Sequence, residues 1–237
     1  MPKYKQIIRE LIDKINSKNM NQGDKLPSIE ALMKKYSVGK NTVLRALDEL
    51  EKAAFIYQVP GSGNYVRKIK RNGYINITDG SGLRNTLENF DLNSKMLDLK
   101  IITPNQEVMK NLNIDEDEEV YYVKRLRAIE GRNFSIEESY YLKSIVPYLN
   151  QEIIEGSIFN YLFEHLNVKA GFTDHFLRIK KLNKENATLL NLKPGDPSIL
   201  LESVYSLKNG TAYDYSKILY HYEESQFFIQ GQNSMGL

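Results

Sequence analysis

The sequence has no cysteine and no tryptophan, and only three histidines among its 237 residues. The absence of cysteine excludes disulfides, zinc fingers and thiol chemistry. No two of His165, His175 and His221 have metal-ligand spacing, and the chain has neither an activated-serine motif nor a glycine-rich phosphate loop. We therefore expect no catalytic residue, no metal and no cofactor.

Long apolar runs are also missing. No stretch reaches the roughly 18 residues of a membrane-spanning helix. The N-terminus leads directly into an amphipathic segment, without the apolar region of a signal peptide. Hydrophobic residues still make up 41% of the chain, which supports a core, and the length accommodates two modest domains. These properties fit a cytoplasmic protein, and we expect that location.

Charge is distributed unevenly, although the net charge is only +2. Residues 1–72 contain 15 Lys and Arg against 7 Asp and Glu, a net charge of +8, whereas residues 73–237 contain 17 against 23, a net charge of −6. A basic segment attracts phosphates and an acidic one avoids them. The N-terminal part is therefore the candidate for binding nucleic acid, although lysine-rich helices that are merely soluble have a similar composition.

The first 70 residues have the pattern of three helices followed by a hairpin. Pro27 and Ser28 are suited to opening a helix, because proline is tolerated at a helix start and a serine side chain caps free backbone N–H groups. The apolar periodicity predicts helices at about 3–17, 28–36 and 40–53 and strands at about 55–59 and 64–69. The buried stripe of the third helix is expected to consist of Val43, Leu44, Ala46, Leu47 and Leu50. This order of elements is typical of a winged helix-turn-helix, whose recognition helix enters the DNA major groove.

Candidate DNA contacts lie at the start of the third helix and at the hairpin turn. Lys40 can donate to guanine or phosphate, Asn41 can pair with adenine, and Thr42 can contact phosphate or a thymine methyl group. Thr42 could equally cap its helix, and Arg45 could lie on a solvated face. The turn lacks bulky side chains, so its backbone can approach DNA closely. The predicted DNA-binding residues are Ser28, Lys40, Asn41, Thr42, Arg45, Gly61, Ser62 and Gly63. We also expect Lys68, Lys70 and Arg71 to hold phosphates.

From residue 94 onward the pattern changes to strands, and it repeats with an offset of about 78 residues. In each half, a strand-like segment and a short helix precede two strands joined by a polar turn. The paired strands are predicted at 120–129 and 134–141 and again at 199–207 and 212–220, with a helical segment at 157–166 between the halves. Such a repeat predicts an α+β domain with one antiparallel sheet. Residues 71–93 have few periodic signals and are interpreted as a linker with a short strand at about 74–78.

Two resemblances to known families connect these observations. Residues 4–66 resemble the DNA-binding domain of the GntR family of bacterial transcription regulators, through YKQI (4–7), GDKLPS (23–28), TV and ALDEL (42–50) and GSG with YV (61–66). Most of residues 90–230 resemble the UTRA ligand-binding domain of the HutC subgroup of that family. The matching pieces are YVKRLR (122–127), FSIEESY (134–140), GSIF (156–159) and YDYS (213–216), followed by Tyr220. The resemblance implies a DNA-binding domain at 1–70, a linker at 71–93 and a UTRA domain, related in fold to chorismate lyase, at 94–237.

The resemblance implies a homodimeric regulator, more commonly a repressor, that binds double-stranded operator DNA and a small-molecule effector. Two departures concern the DNA contacts. Glu30 stands where the family usually has an arginine that contacts DNA, and a carboxylate there repels phosphate. Gly39-Lys40 replaces the usual Ser-Arg, and lysine lacks the planar fork of arginine. We therefore expect a related but shifted operator sequence.

Some members of the subgroup bind phosphorylated sugars, which indicates where an effector would bind here. Arg125 and Arg127 are two residues apart on a predicted strand, so they share a face and can grip a phosphate. Ser157 at a helix start offers a second anion site. The predicted effector-binding residues are Arg125, Arg127, Glu137, Ser157, Asp214, Tyr215 and Tyr220.

Bland interpretations of these residues remain open. The arginines could form a solvated strand face paired with Glu137 or Glu138, Ser157 could only cap its helix, and the tyrosines could lie at core edges. Phe159, where the family often has tyrosine, removes one hydroxyl group and leaves a non-sugar effector as an alternative.

Three other functions are alternatives for the whole chain. A chorismate-lyase-like enzyme fused to a DNA-binding module has no catalytic motif to support it. An all-helical effector domain of the FadR type conflicts with the strand-rich region 94–230. A purely architectural DNA-binding protein would leave about 150 residues without a role.

Overall fold

The computed structural model describes residues 2–17, 20–67, 73–77 and 90–229. The chain divides between residues 72 and 73 into two compact units. Among the helices of the described ranges, none is long and apolar enough to cross a membrane. Lys68, Lys70 and Arg71, the end of the second predicted wing strand and most of the predicted linker lie outside the described residues.

The N-terminal unit has the predicted winged helix-turn-helix architecture. Its elements are α1 (Lys3–Asn16), α2 (Ile29–Tyr36), α3 (Lys40–Lys52), β1 (Ile56–Val59) and β2 (Gly63–Val66). Strands β1 and β2 pair antiparallel. The core includes Ile7, Leu11, Leu32, Val43, Leu47, Leu50, Ile56 and Val66. Ser28 caps α2, because its Oγ accepts a hydrogen bond from the backbone N–H of Ala31 at 3.1 Å.

One residue of the expected stripe on α3 is not buried. The side chains of Val43, Ala46, Leu47 and Leu50 are buried, but Leu44 is 39% exposed. A residue that directly follows a buried one is rotated by about 100° around the helix. The prediction for Leu44 was therefore wrong: it lies on the outer side of α3.

The C-terminal unit is built on a six-stranded antiparallel sheet. Its elements are β3 (Tyr74–Asn76), β4 (Leu92–Ile102), α4 (Gln106–Leu112), β5 (Val120–Ile129), β6 (Arg132–Leu142), α5 (Gln151–Glu155), α6 (Ile158–Asn160), which continues as a π-helical turn (Tyr161–His165), β7 (Ala170–Lys181), α7 (Lys184–Leu189), β8 (Pro197–Leu207), β9 (Ala212–His221) and β10 (Gln226–Phe228). The strand order in the sheet is β4-β5-β6-β9-β8-β7.

This order reflects the sequence repeat. The first half supplies β4, β5 and β6 and the second half supplies β7, β8 and β9 in mirrored order, so that β6 and β9 meet at the centre. The predicted α+β class and single antiparallel sheet are confirmed.

Helices cover both faces of the sheet. On the face that carries Arg125, Arg127, Glu137 and Asp214, which we call the arginine face, α5 and α6 pack through Ile154 and Ile158. On the opposite face, α4 packs through Val108 and Leu112, and α7 through Ala187.

Part of the predicted linker is packed into the C-terminal unit. Strand β3 pairs in parallel with β10, and Ile75 is buried against Leu201 and Tyr220. Residues 73–77 therefore belong to a small apolar core, because an apolar strand next to β10 gains more by burial than by solvation.

Candidate DNA-binding surface and effector site

The start of α3 presents a polar surface. Lys40, Asn41 and Arg45 are exposed, and Thr42 is half-buried. The N-cap is Gly39, without a side-chain cap, so the alternative role of Thr42 as the cap does not apply. Leu44 lies four residues after Lys40 and three after Asn41, so these three side chains are neighbours on the helix surface.

Arg45 is held by the first helix. Its guanidinium lies 4.0 Å from the ring centroid of Tyr4, and its Nη2 donates to the Tyr4 hydroxyl at 3.3 Å. Tyr4 therefore orients a predicted DNA contact, a role that the sequence did not reveal because the two residues are 41 positions apart.

Hydrogen bonds connect the first wing strand, β1, to α3. The backbone N–H and the side-chain amide of Gln58 donate to the carboxylate of Glu51 at 3.2 and 2.8 Å. At the tip, Gly61 and Gly63 have φ angles of +73° and +133°, which side chains with a Cβ rarely adopt. The tip is open to solvent, because Gly61 and Ser62 are exposed and Gly63 is half-buried.

Two arginines and a glutamate form the centre of the arginine face. Arg125 Nη2 donates to Glu137 Oε1 at 2.8 Å, and Arg127 Nε donates to Glu137 Oε2 at 3.0 Å. Arg125 Nη1 also donates to the carbonyl oxygen of Ile154 in α5 at 2.9 Å. All three charged side chains are buried. The arginines share one face as predicted. They pair with Glu137, as in the alternative interpretation, but they are buried and do not form the solvated face that it assumed.

Glu137 is ionised in this environment. Burial by itself raises the pKa of its carboxyl group, but the positive charges of Arg125 and Arg127 outweigh that effect and hold the pKa at about 2. Two guanidinium groups thus face a single carboxylate, which leaves an excess of positive charge in a buried place.

Asp214 is linked to Glu137 through two serines. Ser139 Oγ donates to Glu137 Oε1 at 3.0 Å, and Ser216 Oγ lies 2.8 Å from Ser139 Oγ and 2.5 Å from Asp214 Oδ1. Burial raises the pKa of Asp214 to about 8. Each serine has one proton to donate, so the chain is satisfied when a protonated Asp214 donates to Ser216.

Several buried polar atoms on this face lack a hydrogen-bond partner within the described residues. They include Arg125 Nε, Ser135 Oγ, Asp214 Oδ2 and the hydroxyl of Tyr141, which lies opposite Asp214. Such atoms are costly to leave unpaired, and their clustering is typical of a site that binds a polar molecule.

The second half of the repeat adds His175 and Ser203 to the polar side chains of the arginine face. His175 Nδ1 lies 2.8 Å from Ser203 Oγ, and Ser203 pairs with Ser216 in the neighbouring strand. Sequence reasoning missed these residues. A signal was available only for Ser139 and Ser216, because Glu137 and Asp214 each precede a serine by two positions in equivalent strands of the repeat.

The structure brings together five of the seven predicted effector residues. Arg125, Arg127, Glu137, Asp214 and Tyr220 lie on the arginine face, as the strand registers show. Ser157 caps α6 by accepting from the backbone N–H of Asn160 at 3.2 Å, next to Ile158, which packs on this face.

Tyr215 is the exception. Successive strand residues point to opposite faces, so Tyr215, between Asp214 and Ser216, lies on the other side of the sheet. Its hydroxyl oxygen lies 3.0 Å from a carboxylate oxygen of Glu107 and 3.0 Å from one of Glu202, and its single proton can be donated to one of them. Grouping Tyr215 with the arginines was therefore wrong.

Comparisons with known proteins agree with both units. The model for bacterial regulatory proteins of the gntR family matches residues 3–66, and the model for the UTRA domain matches residues 88–225. The HTH-type transcriptional regulator YydK of Bacillus subtilis (strain 168) is 47% identical, over 98% of this chain and 99% of YydK. The crystal structure of YydK matches with a TM-score of 0.88 and covers 98% of this chain and 100% of that chain.

More distant relatives are similar over nearly the whole length. The HTH-type transcriptional regulator GmuR of Bacillus subtilis (strain 168) is 27% identical over 91% of this chain and 92% of GmuR. The mannosyl-D-glycerate transport/metabolism system repressor MngR of Escherichia coli (strain K12) is 23% identical over 98% of this chain and 96% of MngR. These relatives regulate transcription and are not enzymes. The chain belongs to the GntR family of bacterial transcription regulators and combines its DNA-binding domain with a UTRA effector domain.

Proposed function

We propose that this regulator is a homodimeric repressor whose operator binding is controlled by a small anionic effector, of the sugar phosphate class. The observation that carries the effector class is the buried cluster of Arg125, Arg127 and Glu137, in which two guanidinium groups face one carboxylate. A phosphate would supply the missing negative charge through charge-assisted hydrogen bonds. The name of MngR refers to mannosyl-D-glycerate, a sugar derivative whose negative charge is a carboxylate, which supports an anionic sugar derivative as the effector.

The polar side chains of the arginine face are suited to the sugar portion of such an effector. Asp214 Oδ2 can accept from a sugar hydroxyl, and the hydroxyl groups of Ser135 and Ser203 can donate or accept. Tyr220 lies on the same face, and Ser157 is at the start of α6, next to Ile158, which packs on this face. An organic anion that is not a sugar remains the alternative effector, and the experiment below distinguishes the two.

On the DNA side, Lys40, Asn41 and Arg45 would contact the major groove, and the wing tip at residues 61–63 would approach the backbone or the minor groove. Leu44 adds an apolar side chain suited to a thymine methyl group. Ser28 and Thr42 complete the proposed contacts to the operator. A bacterial operator lies in the cytoplasm, and we propose that the protein acts there.

Operator binding is tested by fluorescence anisotropy with labelled DNA from upstream of the protein's own gene, titrated at two salt concentrations. Lys40→Ala should weaken binding by roughly 5- to 150-fold, the worth of a base contact of about 1–3 kcal/mol. The matched control Lys14→Ala removes an exposed lysine from α1 and should change binding little. Affinity should fall steeply with salt because phosphate contacts release counterions. Equal effects of the two substitutions would contradict the assignment of α3 as the recognition helix.

The effector is tested by calorimetry with a panel of hexose phosphates, the unphosphorylated sugars and small organic acids. Arg127→Met should reduce the affinity for the active hexose phosphate at least tenfold, whereas Arg132→Met, which removes an exposed arginine from the same sheet, should not. Glu137 keeps its bond to Arg125 in the first variant, so the buried pair remains. Unchanged affinity in Arg127→Met refutes the anion site; binding of organic acids alone keeps the site and replaces the sugar class.

A further inference from the structure

Strand β7 forms one edge of the six-stranded sheet and exposes large apolar side chains along it. Phe172 and Phe176 are 54% and 59% exposed on one face, and Leu177 and Ile179 are 45% and 70% exposed on the other. Within the described residues β7 pairs only with β8, so its outer side presents unpaired backbone groups. A long apolar edge of this kind is a template for pairing with another strand.

The opposite edge, β4, occupies the equivalent position in the repeat but is protected. A β-bulge interrupts β4 between Met96 and Asp98, and Asp98 forms an ion pair with Lys100 at 2.8 Å. Bulges and charges are the devices by which proteins block pairing at sheet edges. In β7 the only irregularity lies between Ala170 and Phe172, and the strand is regular from there to Lys181. The β4 edge is thus protected against pairing with another strand, whereas the β7 edge is not.

We infer that β7 pairs antiparallel with β7 of a second copy of this chain, across a two-fold axis at Phe176. The two sheets would then form one continuous sheet. This inference rests on the proposed homodimer and assigns its interface. It commits to a second copy because the sequence of β7 is complementary to itself.

The register follows from geometry and charge. Directly opposed residues of an antiparallel pair point to the same face. A two-fold axis normal to the sheet therefore runs midway between the two copies of one residue, which oppose each other directly. An axis at Phe176 opposes Asp174 to the partner's Arg178, twice by symmetry, and leaves no two like charges opposed.

Neighbouring registers fit less well. An axis at His175 has the same overlap but opposes Asp174 to the partner's Phe176. An axis at Leu177 opposes Asp174 to the partner's Lys180 but shortens the overlap, because β7 ends at Lys181. Only the axis at Phe176 combines the longest overlap with the opposite-charge pairs.

Single cysteines test this arrangement cleanly, because the chain has no cysteine of its own. Directly opposed Cα atoms are about 4.5–5.5 Å apart, which suits a disulfide. The full chain with Phe176→Cys should therefore form a covalent dimer rapidly under mild oxidation. Leu177→Cys should react slowly, because its two copies are shifted by two residues, about 6.6 Å, along the strands. Tyr148→Cys, exposed and outside the sheet, is the control for random collision.

The cross-linking rates test the β7 interface and the axis at Phe176 separately. Cross-linking of Phe176→Cys no faster than that of Tyr148→Cys overturns the interface. Fastest cross-linking at Leu177→Cys overturns the proposed axis.

A charge exchange tests the pairing without a covalent bond. Asp174→Arg and Arg178→Asp should each weaken dimerisation at least tenfold in sedimentation equilibrium, because each opposes like charges. Mixing the two variants should restore a dimer, since every arginine then opposes an aspartate. Asp98→Arg on β4 should leave the association unchanged.

Single variants that remain fully dimeric, or a mixture that does not recover, overturn the proposed register. A monomeric wild-type protein overturns the interface and the homodimer together. A dimer that ignores all β7 substitutions overturns the interface alone and leaves the proposed function intact.

Discussion

Glu137 and Asp214 occupy matching places in the two halves of the repeat, yet they have opposite protonation states. Glu137 lies opposite Arg125 in the neighbouring strand, whereas Asp214 lies opposite Tyr205. Adjacent guanidinium groups favour the ionised carboxylate, and burial without a directly paired cation favours the neutral acid. The pKa of about 2 for Glu137 and about 8 for Asp214 follow from this difference. The two halves of the repeat thus supply one charged and one neutral carboxyl group to the same face.

The raised pKa of Asp214 should make the free energy of unfolding depend on pH. Its ordinary value is 3.8, so between pH 3.8 and about 8 the unfolded chain releases a proton that the folded chain keeps. The free energy of unfolding should therefore fall as pH rises through this window, with a slope of up to about 1.4 kcal/mol per pH unit from this residue. Asp214→Asn keeps a donor for Ser216 and removes the titration. Its stability relative to the wild type should rise from pH 5 to pH 7.

Urea unfolding followed by tyrosine fluorescence at pH 5, 6 and 7 measures this effect. Asp117→Asn, which removes an exposed carboxyl group from a loop, is the control and should leave the pH dependence of the wild type unchanged. A difference between Asp214→Asn and the wild type that is constant across these pH values would show that Asp214 is ionised in the folded protein.

At the scale of elements, the apolar periodicity predicted the helices and strands whose bounds depend on local sequence alone. The three N-terminal helices begin and end within one or two residues of the predicted positions, and β5 spans the predicted residues 120–129. In these segments a single buried face dictates the apolar spacing. The cap at Ser28 was predictable for the same reason, because capping involves only neighbouring residues.

The remaining features depend on contacts between distant segments. Tyr215 belongs to the face opposite Asp214, which alternation along β9 could have shown. The pairing of His175 with Ser203, by contrast, depends on the register of β7 against β8. The extent of β7 was not predictable either, because an edge strand with exposed apolar residues on both faces has no alternating pattern. The contact of Tyr4 with Arg45 likewise arises only when α1 packs on α3.

At the scale of the whole molecule, charge is divided between two units with different tasks. The basic N-terminal part attracts DNA, and the acidic remainder repels phosphate overall. A regulator of this design needs the effector to bind two conformational states with different affinities. The free energy of that coupling then sets how far the operator affinity can change.

The coupling is reciprocal, which provides a test on the intact protein. If the effector weakens operator binding by a given factor, a saturating operator must weaken effector binding by the same factor. Couplings of about 1–3 kcal/mol correspond to factors of roughly 5 to 150. Calorimetry of the active effector against the free protein and against its operator complex should therefore show this loss. A duplex of scrambled sequence, present at the same concentration, should show a much smaller one.

The result also locates the effector site. A finite factor, equal in the two directions, requires a complex that holds both ligands at once, as expected when the effector binds at Arg127 and the operator at Lys40. Loss of all effector binding in the presence of operator would instead mean that the coupling lies beyond this range or that both ligands compete for one surface. The variants separate these cases. If the free protein loses effector binding with Arg127→Met and keeps it with Lys40→Ala, the two sites are distinct; the reverse pattern would mean that the arginine face has to be abandoned as the effector site.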